Sequence, residues 1–172
     1  MITLNDFEFE IAAFIGKRRN SENRSKNVFD NRYKKNDSLE IDIIGASTEL
    51  AFGKLVNSYP HELFEMGVKS KKLGTDFGDY MIDNMSVDVK GTKYKTGRLL
   101  IPAKSSRPEN IDMFCLLTKE TDHSFYLRGF YPVDLIYEKT PIKNFGRPSY
   151  TVEQKELLDY DDCLKKVLDI AA

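Results

Sequence analysis

The sequence has few cysteines and no long apolar run. Cys115 and Cys163 are its two cysteines, and neither lies in a C-x-x-C or histidine-rich context, which argues against a zinc ribbon or a disulfide framework. No apolar stretch approaches the length of a membrane span, and the chain opens with a polar, acidic segment instead of a signal peptide. We therefore expect no membrane association, a cytoplasmic location and two buried thiols.

Motifs for small-molecule cofactors are missing as well. The sequence has no glycine-rich phosphate-binding loop, no dinucleotide fingerprint and no Ser/His/Asp arrangement. His61 and His123 are isolated, without the spacing of a zinc or HNH pair. We therefore expect no small-molecule cofactor.

Positive and negative charges are nearly balanced, since the sequence has 26 basic and 27 acidic residues. Affinity for a polyanion would have to come from local patches. One such patch lies in residues 17–35, where Glu22 and Asp30 are outnumbered by basic residues: Lys17, Arg18, Arg19, Arg24, Lys26, Arg32, Lys34 and Lys35. The stretch predicts a basic loop or arm at about residues 17–38 that contacts nucleic acid.

Helical periodicity occurs in three places. Apolar residues recur at helical spacing from Leu4 to Ile15, which predicts a first helix ending near Gly16, with Thr3 or Asn5 as its cap. Residues 41–59 predict a second helix. Residues 151–154 resemble a capping box, which predicts that the last amphipathic helix begins there.

Strand patterns fill the middle of the chain. They predict a hairpin at residues 79–90, further strands at 98–102, 113–118 and 125–131, and a helical turn at 132–137. Helices, then strands, then a closing helix indicate an α/β fold with a mixed central β-sheet flanked by α-helices. With 172 residues, of which 41% are hydrophobic, we expect one domain over residues 1–172.

The hairpin carries the polar residues of greatest interest. Apolar and polar residues alternate from Met85 to Lys90, so Ser86, Asp88 and Lys90 share one face. A two-residue turn at Asp83 and Asn84 would pair Ile82 with Met85, Tyr80 with Val87, and Asp79 with Asp88. Two opposed carboxylates repel each other. The pattern therefore predicts a hard divalent cation between them.

A third carboxylate is expected nearby. Glu49 lies on the predicted inward face of the second helix, among small and apolar residues, and a carboxylate buried there needs a cation or a donor. Lys90 would place an ammonium beside this site, where it can orient a water or stabilise charge on a phosphoryl oxygen. These groups are typical of phosphodiester hydrolysis.

These residues together resemble the signature of the PD-(D/E)XK nuclease superfamily. Asp79 stands where the family has its first aspartate, and Asp88-Val89-Lys90 stands at the (D/E)XK element. Glu49 matches the helical glutamate of many members. The motif part of the resemblance covers residues 41–100. The chain departs from the pattern at Gly78, which stands in place of the proline.

The resemblance implies a restriction-endonuclease-like fold, a DNA substrate and dependence on Mg²⁺ or Mn²⁺. It assigns the metal to Asp79, Asp88, Glu49 and the backbone carbonyl of Val89, with Lys90 as the catalytic lysine. Small stand-alone members include restriction enzymes, junction resolvases and phage or repair nucleases. A chain this short resembles the last two groups most, which suggests a bacterial or phage-infected cell.

Basic residues that follow the site in sequence are expected to line the same cleft and bind phosphates. These predicted DNA-binding residues are Lys93, Lys95, Arg98, Lys104 and Arg107, with Arg18 and Arg19 from the basic stretch.

Several alternatives stay open at this stage. Asp76 also lies in a glycine-flanked polar run and competes with Asp79 for the first-aspartate role, although the turn register favours Asp79. The enzyme can be an endonuclease, junction-resolving or otherwise structure-specific, or an exonuclease, and its substrate can be RNA instead of DNA. The chain can also be a non-catalytic nucleic-acid-binding module on the same fold. Cleavage of two strands favours a homodimer.

Overall fold

The computed structural model describes residues 1–25, 38–58, 78–103, 107–144 and 147–171. These residues form helices and two β-sheets, one with five strands and one with three. The predicted α/β class, with a mixed sheet flanked by helices, is confirmed. Within the described ranges, no helix has both the length and the apolar character needed to cross a membrane.

Eight strands are present in the described residues. They are β1 (Ile2–Thr3), β2 (Tyr80–Ile82), β3 (Met85–Thr92), β4 (Leu99–Pro102), β5 (Met113–Lys119), β6 (Ser124–Pro132), β7 (Ile142–Asn144) and β8 (Arg147–Val152). The larger sheet has the order β1-β6-β5-β3-β2, and the smaller sheet has the order β4-β8-β7. Strands β3 and β5 run parallel, while the other neighbours are antiparallel.

Four α-helices accompany these sheets in the described residues. They are α1 (Asp6–Ser25), α2 (Ser38–Leu55), α3 (Val133–Glu138) and α4 (Tyr160–Ala171). Asn5 caps α1, since its Oδ1 accepts the N–H of Glu8 while Glu8 Oε2 accepts the N–H of Asn5. This reciprocal arrangement is a capping box. It selects Asn5 over Thr3, the other cap that the sequence offers.

The hairpin of β2 and β3 has the predicted register. Asp83 and Asn84 have φ angles of 48° and 65°, as a two-residue turn with positive φ at both central positions requires. Ile82 pairs with Met85, and Tyr80 pairs with Val87. Local turn chemistry therefore fixes which face each side chain of β3 occupies.

The two faces of β3 pack against different parts of the protein. Val87 and Val89 belong to a core formed with α1 and α2. Asp88 and Lys90 project to the opposite face, where their register partners on β5, Phe114 and Leu116, belong to a second core with β4, β8 and α3. The polar pair on β3 thus lies beside an apolar core that the smaller sheet helps to form.

Two predictions about element boundaries are wrong. Helix α1 continues through Gly16 to Ser25, so residues 17–25 of the predicted basic arm are helical, and residues 26–37 lie outside the described residues. Thr151 and Val152 end β8, and the capping box is formed by Glu153 and Glu156 around a short 3-10 turn.

Gly16 lies where α1 crosses α2. A Cβ at Gly16 would stand 2.5 Å from the Cα of Ile43, whereas a Cβ at Gly45, on α2, would meet nothing within 4 Å. We expect Gly16→Ala to lower the free energy of unfolding by about 1–3 kcal/mol, because the helices must separate. Gly45→Ala is expected to raise it by up to about 1 kcal/mol, because alanine has less freedom to lose on folding.

Urea unfolding of the two alanine variants beside the parent protein measures this difference. The two substitutions add the same methyl group, so helix propensity cannot separate them. Equal stability of the Gly16→Ala and Gly45→Ala proteins would contradict the close crossing at Gly16.

Candidate catalytic and metal-binding site

Asp88 and Lys90 are adjacent on one face of β3. The Nζ of Lys90 donates to Oδ1 of Asp88 at 2.6 Å. The Asp88 side chain is 12% exposed, while the Lys90 side chain is 37% exposed. The lysine is also 5.9 Å from the ring centroid of Phe114. A ligand from solvent can therefore reach an ammonium whose position is fixed by a nearly buried carboxylate.

Asp79 lies just before β2 and differs in one respect from its predicted pairing. The N–H of Asp79 donates to the carbonyl of Val87 at 2.8 Å, so Asp79 is not paired with Asp88 in the strand ladder, whose last pair here is Tyr80 with Val87. Its Oδ2 instead accepts the N–H of Val89 at 2.7 Å. The strand therefore begins one residue later than the register predicts.

The backbone of Val89 faces the Asp79 carboxylate. In a β-strand the N–H and C=O of one residue point to the same side. Because the N–H of Val89 binds Asp79, the Val89 carbonyl is directed toward the same edge. The backbone oxygen predicted as a ligand is therefore on the side of the first aspartate.

Gly78 explains the departure from the family pattern. Its φ is +74°, whereas proline is restricted to φ near −65°. A Cβ at this position would also stand 2.5 Å from the Oγ of Ser86. With this backbone path, a proline before Asp79 is excluded.

Glu49 projects from α2 and is held by α1. Both of its carboxylate oxygens accept from Arg19, Nη1 to Oε1 at 2.7 Å and Nη2 to Oε2 at 2.6 Å. The Tyr80 hydroxyl donates to the backbone carbonyl of Glu49 at 2.6 Å. The predicted need of Glu49 for a donor is thus met by Arg19, which the sequence pattern assigned to DNA.

The carboxylates interact electrostatically. Burial raises the pKa of Asp79 well above its ordinary value, and the negative charges of Glu49 and Asp88 raise it further. For Lys90, burial alone would lower the pKa, but the charges of Asp88 and Asp79 outweigh that effect and raise it. Lys90 therefore keeps its proton at neutral pH, and Asp79 is costly to ionise.

The donor set suits a hard divalent cation, which prefers carboxylate and carbonyl oxygens. Asp79, Asp88, Glu49 and the Val89 carbonyl supply such oxygens, and the charges of Glu49 and Asp88 both act on Asp79. In the described residues, no three Asp, Glu, His or Cys side chains already converge as a metal site. Asp88 accepts from Lys90 and Glu49 accepts from Arg19, but each carboxylate oxygen has a second lone pair, through which it can bind a cation while it keeps that contact.

The cations predicted to bind DNA are paired with acidic residues. The ion pairs are Arg18 with Glu22, Lys93 with Glu40, Lys95 with Glu120, Arg98 with Glu153 and Arg107 with Asp134. Their basic side chains are between 29% and 62% exposed. Exposed pairs of this kind contribute little to stability, so little free energy is lost when one of them separates. Lys104 and the competing Asp76 lie outside the described residues.

Two tyrosines near the site were not predicted. Burial raises the pKa of Tyr137, with Tyr150 as the next contribution and the Asp88 charge after it. The rings of Tyr137 and Tyr150 are 4.8 Å apart at their centroids. They lie on α3 and β8, which are far from the hairpin in the sequence. The pattern of the hairpin therefore does not indicate that they are near the site. The only sequence signal is the aromatic character of these two segments.

Comparison with known proteins identifies a matching family. The profile of a family described as "Family of unknown function (DUF5843)" matches residues 1–124, which include Glu49, Asp79, Asp88 and Lys90. No significant match is found among curated proteins or solved structures.

Proposed function

We propose that this chain, which belongs to the DUF5843 family, is a metal-dependent nuclease that hydrolyses phosphodiester bonds in DNA. The observation that carries the proposal is the 2.6 Å pair of Asp88 and Lys90 on one strand, next to the Asp79 carboxylate bound to the Val89 N–H between them. A buried carboxylate with a raised pKa, here Asp79, near a fixed ammonium is typical of a functional site.

Lys90 acts as a charged donor in this proposal. Its raised pKa means that it does not remove a proton from water at neutral pH. Its ammonium instead orients the attacking water and stabilises the negative charge that develops on a phosphoryl oxygen. Asp88 holds the ammonium in place for this role.

Asp79, Asp88, Glu49 and the Val89 carbonyl would hold Mg²⁺ or Mn²⁺. The bound ion would supply Lewis-acid stabilisation of the phosphoryl charge. The Val89 N–H fixes the orientation of Asp79, and Arg19 fixes that of Glu49. Such support keeps ligands in place before the substrate binds.

DNA is the proposed substrate because the site suits phosphodiester chemistry and several exposed cations lie in segments next to it. Lys93, Lys95, Arg98 and Arg107 would contact phosphates after leaving their acidic partners. Such contacts do not read the base sequence. They are compatible with either endonuclease or exonuclease action. RNA is the alternative substrate. We place this activity in the cytoplasm and expect a homodimer if both strands are cut.

A cleavage assay tests the proposal. The purified protein is incubated with supercoiled, linear, single-stranded and four-way-junction DNA, and with RNA, in Mg²⁺ or Mn²⁺. We expect cleavage that EDTA abolishes. Asp88→Asn should lower the rate by at least about 10²-fold, because it removes a ligand charge and the partner of Lys90.

Asp162→Asn is the matched control, since Asp162 pairs with Lys165 on the exposed face of α4. It should cleave as the parent protein does. Cleavage that survives Asp88→Asn would reject the assigned site. DNA binding without cleavage in either metal would instead favour the non-catalytic module, and cleavage of RNA alone would move the substrate to RNA.

A further inference from the structure

We infer that Arg19 is a positioning residue of this site, which holds Glu49 in its ligand orientation and limits the affinity of the carboxylate cluster for a divalent cation. The inference rests on the proposed function and extends it to helix α1. In the sequence Arg19 is one of several basic residues with no sign of this partner.

The contact itself is specific. Two parallel N–H donations join the guanidinium to the carboxylate, at 2.7 and 2.6 Å. The Arg19 side chain is 25% exposed and the Glu49 side chain 13% exposed, so water competes weakly for either group. Lysine has no planar fork and cannot reproduce both bonds.

Helix α1 is fixed where Arg19 leaves it. One turn earlier, Gly16 lies against the backbone of Ile43 on α2. The next residue, Asn20, donates to Asp42 Oδ2 at 2.8 Å. Because contacts on both sides tie α1 to α2, the guanidinium reaches Glu49 from a fixed backbone position.

The charge of Arg19 acts on more than Glu49. Its guanidinium is attracted by Asp79 and Asp42 as well as by Glu49. Three site carboxylates are thus balanced by two cations, Arg19 and Lys90. A divalent cation that enters this cluster is repelled by both, while it is attracted by the carboxylates. Removal of Arg19 alone should therefore strengthen cation binding while it releases Glu49.

Calorimetric titration with Mn²⁺, without nucleic acid, tests this inference on four proteins. Arg19→Gln is expected to bind Mn²⁺ about tenfold more tightly than the parent protein, because one nearby positive charge is gone. Arg19→Lys keeps the charge and should bind within about threefold of the parent. Arg128→Gln is the control, since Arg128 donates to Thr118 and lies over Tyr126; its affinity should be unchanged.

Cleavage at saturating Mn²⁺ gives the second readout. Both Arg19 variants should cleave at least about tenfold more slowly than the parent, because Glu49 is no longer held at both oxygens. A merely structural arginine would lower stability without tightening Mn²⁺ binding. Thermal unfolding of each variant identifies any that does not fold, and Arg19→Lys then decides the question through its cleavage rate.

The two measurements distinguish a wrong role for Arg19 from a wrong nuclease assignment. Arg19→Gln that binds Mn²⁺ no more tightly than an active parent protein, or Arg19→Lys that cleaves at the parent rate, overturns the role of Arg19 alone. Tighter Mn²⁺ binding by Arg19→Gln, in a protein that cleaves no nucleic acid, supports Arg19 and rejects the nuclease. A parent protein that binds no Mn²⁺ overturns both.

Discussion

Lys90→Met is expected to slow DNA cleavage by about 10²–10³-fold at saturating Mg²⁺, the usual cost of losing one preorganised donor to a developing charge. Methionine keeps the length and apolar stem of the side chain but has no ammonium. Its effect should fall on the rate at saturation and leave DNA affinity nearly unchanged, because the ammonium contributes most where charge develops. Single-turnover cleavage measures that rate.

The same substitution should leave the metal site functional. Asp88 loses the partner that donates to it at 2.6 Å, so the metal-free protein should unfold at a lower temperature, and Mn²⁺ binding should be at least as tight as in the parent. Lys165→Met is the control, because Lys165 forms an exposed pair with Asp162 on α4. A Lys90→Met protein that binds Mn²⁺ and cleaves at the parent rate would remove Lys90 from the mechanism.

The positions of the site residues on β3 were predictable because they depend on the neighbouring sequence alone. Period-two alternation assigned Val87 and Val89 to one face of β3 and Asp88 and Lys90 to the other, and the structure confirms this. The Asp83-Asn84 turn set the register through its own backbone preferences. Asp79 does not follow that register, because it lies just before β2, where strand pairing no longer constrains the chain.

Long-range contacts account for what the sequence did not reveal. Gly16 was interpreted as a helix stop, but it is a packing position against Ile43, and its partner lies on another helix. Arg19 was assigned to DNA from its charge, although its partner Glu49 lies 30 residues away. The pairing of β4 with β8 joins residues about 50 positions apart in the sequence, and strand propensity does not encode such a partner.

Asp79→Asn is expected to stabilise the metal-free protein at pH 7–8 and to abolish its stabilisation by Mg²⁺. Asparagine can still accept the Val89 N–H but carries no charge to desolvate or to repel Glu49 and Asp88. We expect the unfolding midpoint to rise by about 3 °C or more, the shift that roughly 1 kcal/mol produces in a chain of this size. With saturating Mg²⁺ the order should reverse, because only the parent protein gains the binding free energy.

The pH dependence follows from the direction of the shift. Since the folded state raises the pKa of Asp79 above its unfolded value, ionisation of Asp79 costs stability, and this cost grows as pH rises from the unfolded pKa through the folded one. Asp79→Asn should therefore gain most at high pH and nothing below the unfolded pKa. Mg²⁺ binding by the parent should strengthen over the same window, because the cation needs the ionised carboxylate.

Asp122→Asn is a control for which the opposite effect on stability is expected. Lys119 lowers the pKa of Asp122, so its ionised form contributes stability above the unfolded pKa, and that contribution is lost as pH falls through the folded pKa. Its removal should lower the midpoint slightly at pH 7–8, since the pair is exposed. If Asp79→Asn instead destabilised the metal-free protein at pH 8, the Asp79 carboxylate would contribute net stability, and mutual repulsion could not be what makes this cluster receptive to a cation.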